Sequence, residues 1–407
     1  MERVRLTEDI KNILDILNTY GKGYVVGGYI RDYLLGLKPK DCDFCTDIEY
    51  SKLKDIFKDY SPKEIGKAFG IIQIVYRGKS YEIARLRKDV SFTTFRNITE
   101  IEFIRDIYED LKRRDFTVNA IAYDGSNLIY PSVREKEDIK NRVLRFVGDG
   151  RRRVKEDPLR ILRGVRIAGE KNLYILESTK IAIKECKSEI KRVSLERVQD
   201  EFFKILRGEN SSESFRLLYE LGIFEELFPK TNKSISLKNM LEDMNKIDEI
   251  FLSEERLIPK LIVIFYENEV ELNLLKLDNK SKKSILNIIK SLKKRKDICS
   301  KYEMKKMIGI MGIKDFESAL KIEGLRVDIS SKKEWFNEIT SNSEPIFLKD
   351  LSISGKDILE LGIKDGKKIK ELLNRSLDIV LKNPKLNRKE YLLELVEEEK
   401  IWNREYL

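Results

Sequence analysis

Two aspartates one residue apart, Asp41 and Asp43, are of a type and spacing that suit a chemical role. On an extended segment alternate side chains share a face, so the two carboxylates project together. Carboxylates held that close repel unless a cation lies between them. Mg²⁺ takes oxygen ligands and keeps room for phosphate, so it suits the pair. Two such ions can activate an attacking hydroxyl and stabilise a leaving pyrophosphate. A solvated acidic loop carries the same pattern. Glu82 lies in a β-prone run with Tyr81 and Ile83 turned to the opposite face. It is either a third carboxylate for that site or an ordinary exposed strand residue.

Upstream, a short apolar run ends in Gly27-Gly28, and an amphipathic helix is predicted from about Ile30. Glycines there let backbone N–H groups approach a phosphate at a helix N-terminus, and Arg31 adds a charge to the cradle. A plain turn explains the two glycines equally well. Downstream, Arg113-Arg114-Asp115 reads in two ways. Asp115 caps a helix after a basic turn, or the arginines take phosphate and the aspartate takes ribose hydroxyls. Asp157-Pro158 then makes a good helix start. Arg160, Arg163 and Arg166 follow at intervals of three, about 300° apart around a helix, as one drifting stripe. Glu156 and Arg160 suit an ordinary i, i+4 ion pair, whereas three arginines on one stripe call for anions opposite them, and a triphosphate or an RNA backbone would serve.

The composition narrows the chemistry further. The chain has 407 residues, 37% charged and 9% aromatic, and no histidine. Histidine-based nucleophilic and general-base catalysis is therefore excluded, and a four-ligand zinc site is disfavoured. Carboxylates, Lys, Arg, Tyr or bound metal must do any catalysis. A net charge of +10 favours a polyanionic partner, although it serves solubility as well. Four cysteines, with Cys42 and Cys45 spaced C-x-x-C, fit buried packing residues in a reducing cytoplasm better than a disulfide framework. No window has the ~20 apolar residues of a membrane span, and the N-terminus carries no signal-peptide core.

These residues must be positioned by a mixed α/β segment up to about Asp124. Its predicted strands cover Tyr24–Val26, Ile71–Tyr76 and Tyr81–Ala84, with Arg77–Ser80 as a hairpin turn. Helical patterns cover Asp9–Asn18 and Ser51–Asp59. From about Asp138 the 3.6-residue period takes over, as in Leu159–Ala168, Val198–Leu206 and Ser214–Leu221. The expected organisation is an α/β head over residues 1–140, a helical neck over 141–210, and an all-α body and tail over 211–407.

The run GG-x-x-R-D, a helix, and D-x-D-F-x-T resembles the nucleotidyltransferase head of the class II tRNA CCA-adding enzyme and bacterial poly(A) polymerase family. The resemblance is close over about residues 20–230 and looser at Leu351–Leu373. It implies metal binding by Asp41 and Asp43 and a nucleotide cradle at Gly28 and Arg31. The motif R-R-D-F-T-x-N-A implies ribonucleotide selection at Arg114 and Asp115. The E-D-x-x-R helix implies that Asp157 and Arg160 present hydrogen-bonding edges to the incoming base, with Arg163 and Arg166 as further nucleotide contacts. Ser194–Val198 resembles a following motif taken as mainly structural. The implied activity is untemplated addition of CMP, CMP and AMP to tRNA 3′ ends from CTP and ATP, with Mg²⁺. Between Arg87 and Asp110 falls the family's nucleotide-switching loop. Arg96 is as expected there, but Thr94 and Ile98 replace the usual aspartate and proline. An A-adding specialist and a poly(A) polymerase are the alternatives within the family, though Gly66–Gly70 is closer to the CCA-adding type. A retired tRNA-binding protein is the alternative outside it. Nothing in the sequence fixes an oligomeric state.

Overall fold

The computed structural model describes residues 4–93, 97–230, 236–294 and 298–405. They form two compact units: residues 1–245 with 273–276, and residues 246–272 with 277–407.

In the first unit, β1 (Gly23–Val26) and β2 (Asp43–Thr46) lie inside a seven-stranded mixed sheet. Its other strands are β3 (Lys63–Gly66), β4 (Ile71–Tyr76), β5 (Lys79–Arg85), β8 (Ala122–Tyr123) and β9 (Leu128–Ile129). β6 (Arg87–Thr93) and β7 (Asn97–Phe103) pair separately as an antiparallel hairpin. The sheet order is β3-β4-β5-β2-β1-β8-β9. β1 is buried along its whole length, as its unbroken apolar sequence requires. β1 and β2 run antiparallel with Val26 opposite Asp43, while β2 and β5 run parallel with Asp43 opposite Glu82. The expected turn at Arg77–Ser80 is shorter. Only Arg77 (φ 47°) and Gly78 (φ 78°) leave the strands, the positive φ pair that a two-residue hairpin needs.

Helix α1 (Glu8–Tyr20) covers the sheet with Ile10, Ile13, Leu14 and Leu17, all buried at helical spacing. Glu8 and Asp9 in its first turn suit the positive end of the helix dipole. Each of those apolar side chains contributes about 1.5–3 kcal/mol on burial, so truncating Leu17, which has no exposed surface, would loosen the strand beneath it. The three later periodic runs are helices at Arg160–Lys171, Leu195–Arg207 and Ser211–Glu220, each within a few residues of expectation.

The second unit is helical and has no strand among the described residues. One core gathers Leu351, Ile353, Ile358, Leu372, Val380, Leu392 and Val396. Cys42, Cys45 and Cys186 are buried, as packing cysteines should be, but Cys299 is exposed.

Candidate active site

The sheet delivers β1 to a sharp turn. Gly27 takes φ 71°, ψ −128°, a conformation that L side chains rarely adopt. A Cβ there would stand 3.2 Å from Arg114 Nη1, whereas one on Gly28 would meet Arg31 only at 3.5 Å. The strained glycine is therefore Gly27, one residue before the position singled out from sequence. Helix α2 (Gly28–Leu34) starts two residues earlier than predicted.

Behind this turn opens a cavity of about 510 Å³. Its wall contains Gly28, Arg31, Asp41, Asp43, Arg114, Asp115, Asp157, Arg160, Arg163 and Arg166. All but one of the site residues expected from sequence are thus brought together. Glu82 is not in that wall, although the sheet register sets it beside Asp43. Asp41 precedes β2 rather than lying within it, yet exposure still alternates through Asp41, Cys42 and Asp43, so both carboxylates face outward. Burial pushes the Asp43 carboxyl above its usual range and Asp41 adds to the rise, against Arg114 and Arg163. Glu82 rises for the same reasons, with burial first and Asp43 and Asp41 after it. Among the described residues no three acidic or cysteine side chains form a ready-made metal cage. Two carboxylates on one face, Asp41 and Asp43, are a donor set for a hard cation completed by water and phosphate.

The cations of the cavity come already paired. Arg31 is buried, donating to Asp32 Oδ1 at 2.7 Å and Asn119 Oδ1 at 2.7 Å. Lys171 in turn holds Asp32 Oδ2 at 3.0 Å. Arg114 and Arg113 both grip Asp110, which has no exposed surface, at 3.1 and 2.6 Å. Burial opposes the Asp110 charge, but Arg114 and Arg113 hold its carboxyl below the ordinary range.

Asp115 does not cap an α-helix. A 3₁₀ turn, Thr117–Asn119, follows it, and its Oδ1 accepts from Phe116 N–H (2.8 Å) and Asn119 Nδ2 (3.0 Å). Its Oδ2 accepts Arg163 Nε and Nη2 at 3.0 and 2.7 Å. Burial works against this charge, yet Arg163 and Asn119 hold the carboxyl well below the usual carboxylate range.

The arginine stripe also finds its anions within the protein. Arg160 donates to Glu156 Oε2 (2.9 Å) and the Arg153 carbonyl (3.0 Å), the i, i+4 pair that the sequence allowed. Arg163 has Asp115, and Arg166 has Glu201 at 2.5 Å. The helix does not start at Asp157-Pro158 as expected. Asp157 closes the preceding helix Gly150–Glu156, Pro158 and Leu159 form a turn, and the helix begins at Arg160. The Asp157 Oδ1 accepts Arg197 Nη2 at 3.1 Å. Arg197 belongs to the segment read as mainly structural, and it touches a residue of the cavity. Asp32, Asp110, Asn119 and Lys171 were not singled out from sequence. Asp32 and Asn119 stand inside the GG-x-x-R-D and R-R-D-F-T-x-N-A motifs without having been given a role, Asp110 only lies beside the second, and Lys171 joins Asp32 across 139 positions.

The segment expected to be a switching loop is the β6–β7 hairpin. Thr94 and Arg96 lie outside the described residues, as does the Ile98 side chain.

Comparison with known proteins agrees with this geometry. Residues 23–145 match the Poly A polymerase head domain, residues 172–235 the "Probable RNA and SrmB-binding site of polymerase A", and residues 251–396 the tRNA nucleotidyltransferase domain 2. A CCA-adding enzyme of Staphylococcus haemolyticus is 30% identical over 403 residues, covering 97% of this chain and 98% of the relative. The Bacillus stearothermophilus CCA-adding enzyme in complex with CTP superposes with a TM-score of 0.79 at 25% identity, covering 99% of this chain and all of the other. A CCA-adding enzyme in complex with ATP superposes at 0.72, also at 25% identity, over 97% and 96% of the two chains. The nucleotidyltransferase family suggests use of a divalent metal. No helix among the described residues is long and apolar enough to cross a membrane. With a full-length relative at this identity and an α/β head joined to helical segments, the chain belongs to the family of CCA-adding enzymes, the tRNA nucleotidyltransferases.

Proposed function

We propose that this chain adds CMP, CMP and AMP to the 3′ end of tRNA, using CTP and ATP and releasing pyrophosphate. The observation that carries the reading is the meeting of a paired carboxylate site, Asp41 and Asp43, with the arginine stripe of one helix in a single cavity. Full-length similarity to a CCA-adding enzyme, and solved relatives holding CTP and ATP, support it.

Asp41 and Asp43 would hold Mg²⁺, with Glu82 beside Asp43 on the neighbouring strand. When bound, the ion lowers the pKa of the tRNA 3′-hydroxyl and offsets charge on the leaving pyrophosphate. The glycine turn brings backbone close to the triphosphate, and Gly28, Arg31 and Arg114 supply its cradle. Asp115, held by Arg163 and Asn119, offers a fixed carboxylate to the ribose hydroxyls. Asp157 and Arg160 offer an acceptor and a donor to the base edge, and the pair can match cytosine or adenine after small shifts. For Arg160 to do so it exchanges Glu156 for the base. Arg163 and Arg166 complete the nucleotide contacts. The helical second unit serves tRNA through backbone contacts, which carry affinity rather than sequence. The head, neck, body and tail divide at about residues 140 and 210, and the protein works in the cytoplasm.

Single-nucleotide extension tests this reading. Purified protein and Mg²⁺ are given tRNA transcripts ending before CCA, after CC, and after CCA, each with CTP, ATP or both. Addition of C, C and A to the first transcript, followed by a stop, is expected. Growth of the second transcript alone would make it an A-adding enzyme, and long A tails would make it a poly(A) polymerase. No extension would leave a tRNA-binding protein.

A further inference from the structure

Asp110 lies in the helix Ile107–Lys112 and has no exposed surface. Such a charge is costly unless every lone pair is used, and its partners are informative. Its Oδ1 accepts the backbone N–H of Arg87, the first residue of the hairpin, at 3.2 Å, and Arg113 Nη2 at 2.6 Å. Its Oδ2 accepts Arg114 Nη2 at 3.1 Å. Arg113 closes the ring by donating Nε to the Arg87 carbonyl at 3.0 Å. Both backbone groups of Arg87 are therefore held by the two side chains of one ion pair.

The same ion pair reaches the nucleotide site. Arg87, Arg113 and Arg114 all line the cavity, and Arg114 packs against Gly27. The far side of the hairpin base is pinned by packing. Phe103 covers Gly70, where a Cβ would come within 2.7 Å of its ring, and Arg85 stacks on Phe103 with its guanidinium 4.0 Å from the ring centroid. Arg87 lies over Phe69 at 4.9 Å. By contrast, Arg87 Nε and Asp89 Oδ1 are 3.4 Å apart with no hydrogen bond between them. The short hydrogen bonds on the inner side of the hairpin base thus run through Asp110 and Arg113. Beside them are only a looser Arg113–Asp89 ion pair at 4.0 Å and an Arg87 Nη1 bond to the Phe69 carbonyl at 3.4 Å.

We propose that Asp110 is a positioning residue that ties the β6–β7 hairpin to Arg113 and Arg114, so that the hairpin's placement and the arrangement of the nucleotide site are set together. This rests on the nucleotide-transfer reading above. Because coupling is reciprocal, a nucleotide that engages Arg114 stiffens the hairpin, and a hairpin freed from Asp110 binds nucleotide less well. Asparagine at position 110 keeps an acceptor for the Arg87 N–H but drops the charge that holds both arginines.

The test uses the full chain, with hydrogen exchange read with and without CTP and Mg²⁺, alongside extension kinetics. In the wild type CTP should slow exchange across the hairpin. In Asp110→Asn that slowing should vanish and the CTP KM should rise by at least about 5-fold, the lower end of typical coupling. A purely structural Asp110 would lower Tm and speed exchange throughout the first unit, leaving the CTP-dependent slowing in place; that result overturns the proposal. Should Asp110→Asn not fold, Arg113→Gln removes the grip on the Arg87 carbonyl while Arg114 still pairs with Asp110. Its hairpin should likewise lose the response to CTP, and an unchanged response refutes the coupling. A wild-type chain that extends no tRNA defeats the functional reading instead, a failure distinct from an Asp110 variant that behaves as wild type.

Discussion

Asp115→Asn removes the charge from a carboxylate that accepts four hydrogen bonds, two of them from Arg163. Breaking a buried ion pair from one side costs about 3–5 kcal/mol, because the remaining charge is left without its partner. Two features lower that figure here. The Arg163 side chain is 36% exposed, so water can take up part of its charge. Asparagine also keeps one carbonyl oxygen for Phe116 N–H or Arg163. The expected loss is about 2–3 kcal/mol, which for a domain of this size lowers Tm by about 4–12 °C. Thermal unfolding of the full chain at pH 7 measures it. The pH dependence supplies an internal check. Asp115 has a folded-state pKa below its unfolded one, so its stabilisation is complete above about pH 4, the ordinary Asp value. The difference between wild type and variant should be flat at higher pH and shrink only as pH falls below that value. A loss under about 0.5 kcal/mol, or a difference that closes near neutrality, would refute the assignment of Asp115 to a buried ion pair.

Two further outcomes are expected. Gly27→Ala forces an L side chain to φ 71° and crowds Arg114, so it should cost about 1–2 kcal/mol and raise the KM for nucleotide. Gly28→Ala should fall within about 0.5 kcal/mol of wild type, and equal effects on denaturant midpoints would contradict the contrast between the two glycines. In a metal-free titration the Asp43 and Glu82 carboxyls should lose their protons above the ordinary carboxylate range, and added Mg²⁺ should draw the Asp43 transition to lower pH. Asp41→Asn removes one source of that rise, so in the same metal-free titration the Asp43 transition should move to lower pH; a stationary transition would show that Asp41 does not act on Asp43.

Much of the site was legible in the sequence because its parts are local. The alternation through Asp41, Cys42 and Asp43 survives even though the strand proper starts at Asp43, since a flanking extended residue keeps the same pleat. The arginine stripe was placed on the right helix and the Glu156–Arg160 pair was foreseen, but the partners of Arg163 and Arg166 were not. Asp115 and Glu201 come from other elements, and only tertiary packing sets them opposite Arg163 and Arg166. Asp110 was illegible for a related reason: a buried carboxylate in a charged run looks like a solvated helix residue until its neighbours close over it. The α-helix expected after Asp115 failed because the segment is diverted into a 3₁₀ turn, with Asp115 bonded to Phe116 and Asn119.

The pairing of every arginine on the stripe bears on turnover. The cavity wall carries nine Lys or Arg side chains and eight Asp or Glu side chains, so its formal charge is close to balanced before any substrate arrives. On the proposed reading an entering nucleotide does not meet bare guanidinium groups there: its base takes Arg160 from Glu156, and Arg166 leaves Glu201 to contact it. That exchange returns less free energy than binding to unpaired cations would, and it is reversible. On the same reading, Glu156 and Glu201 are positioned to recapture those arginines once the nucleotide has been spent. A wall whose arginines have internal anions would hold product less tightly than one with unpaired cations, which suits a reaction repeated on one RNA end.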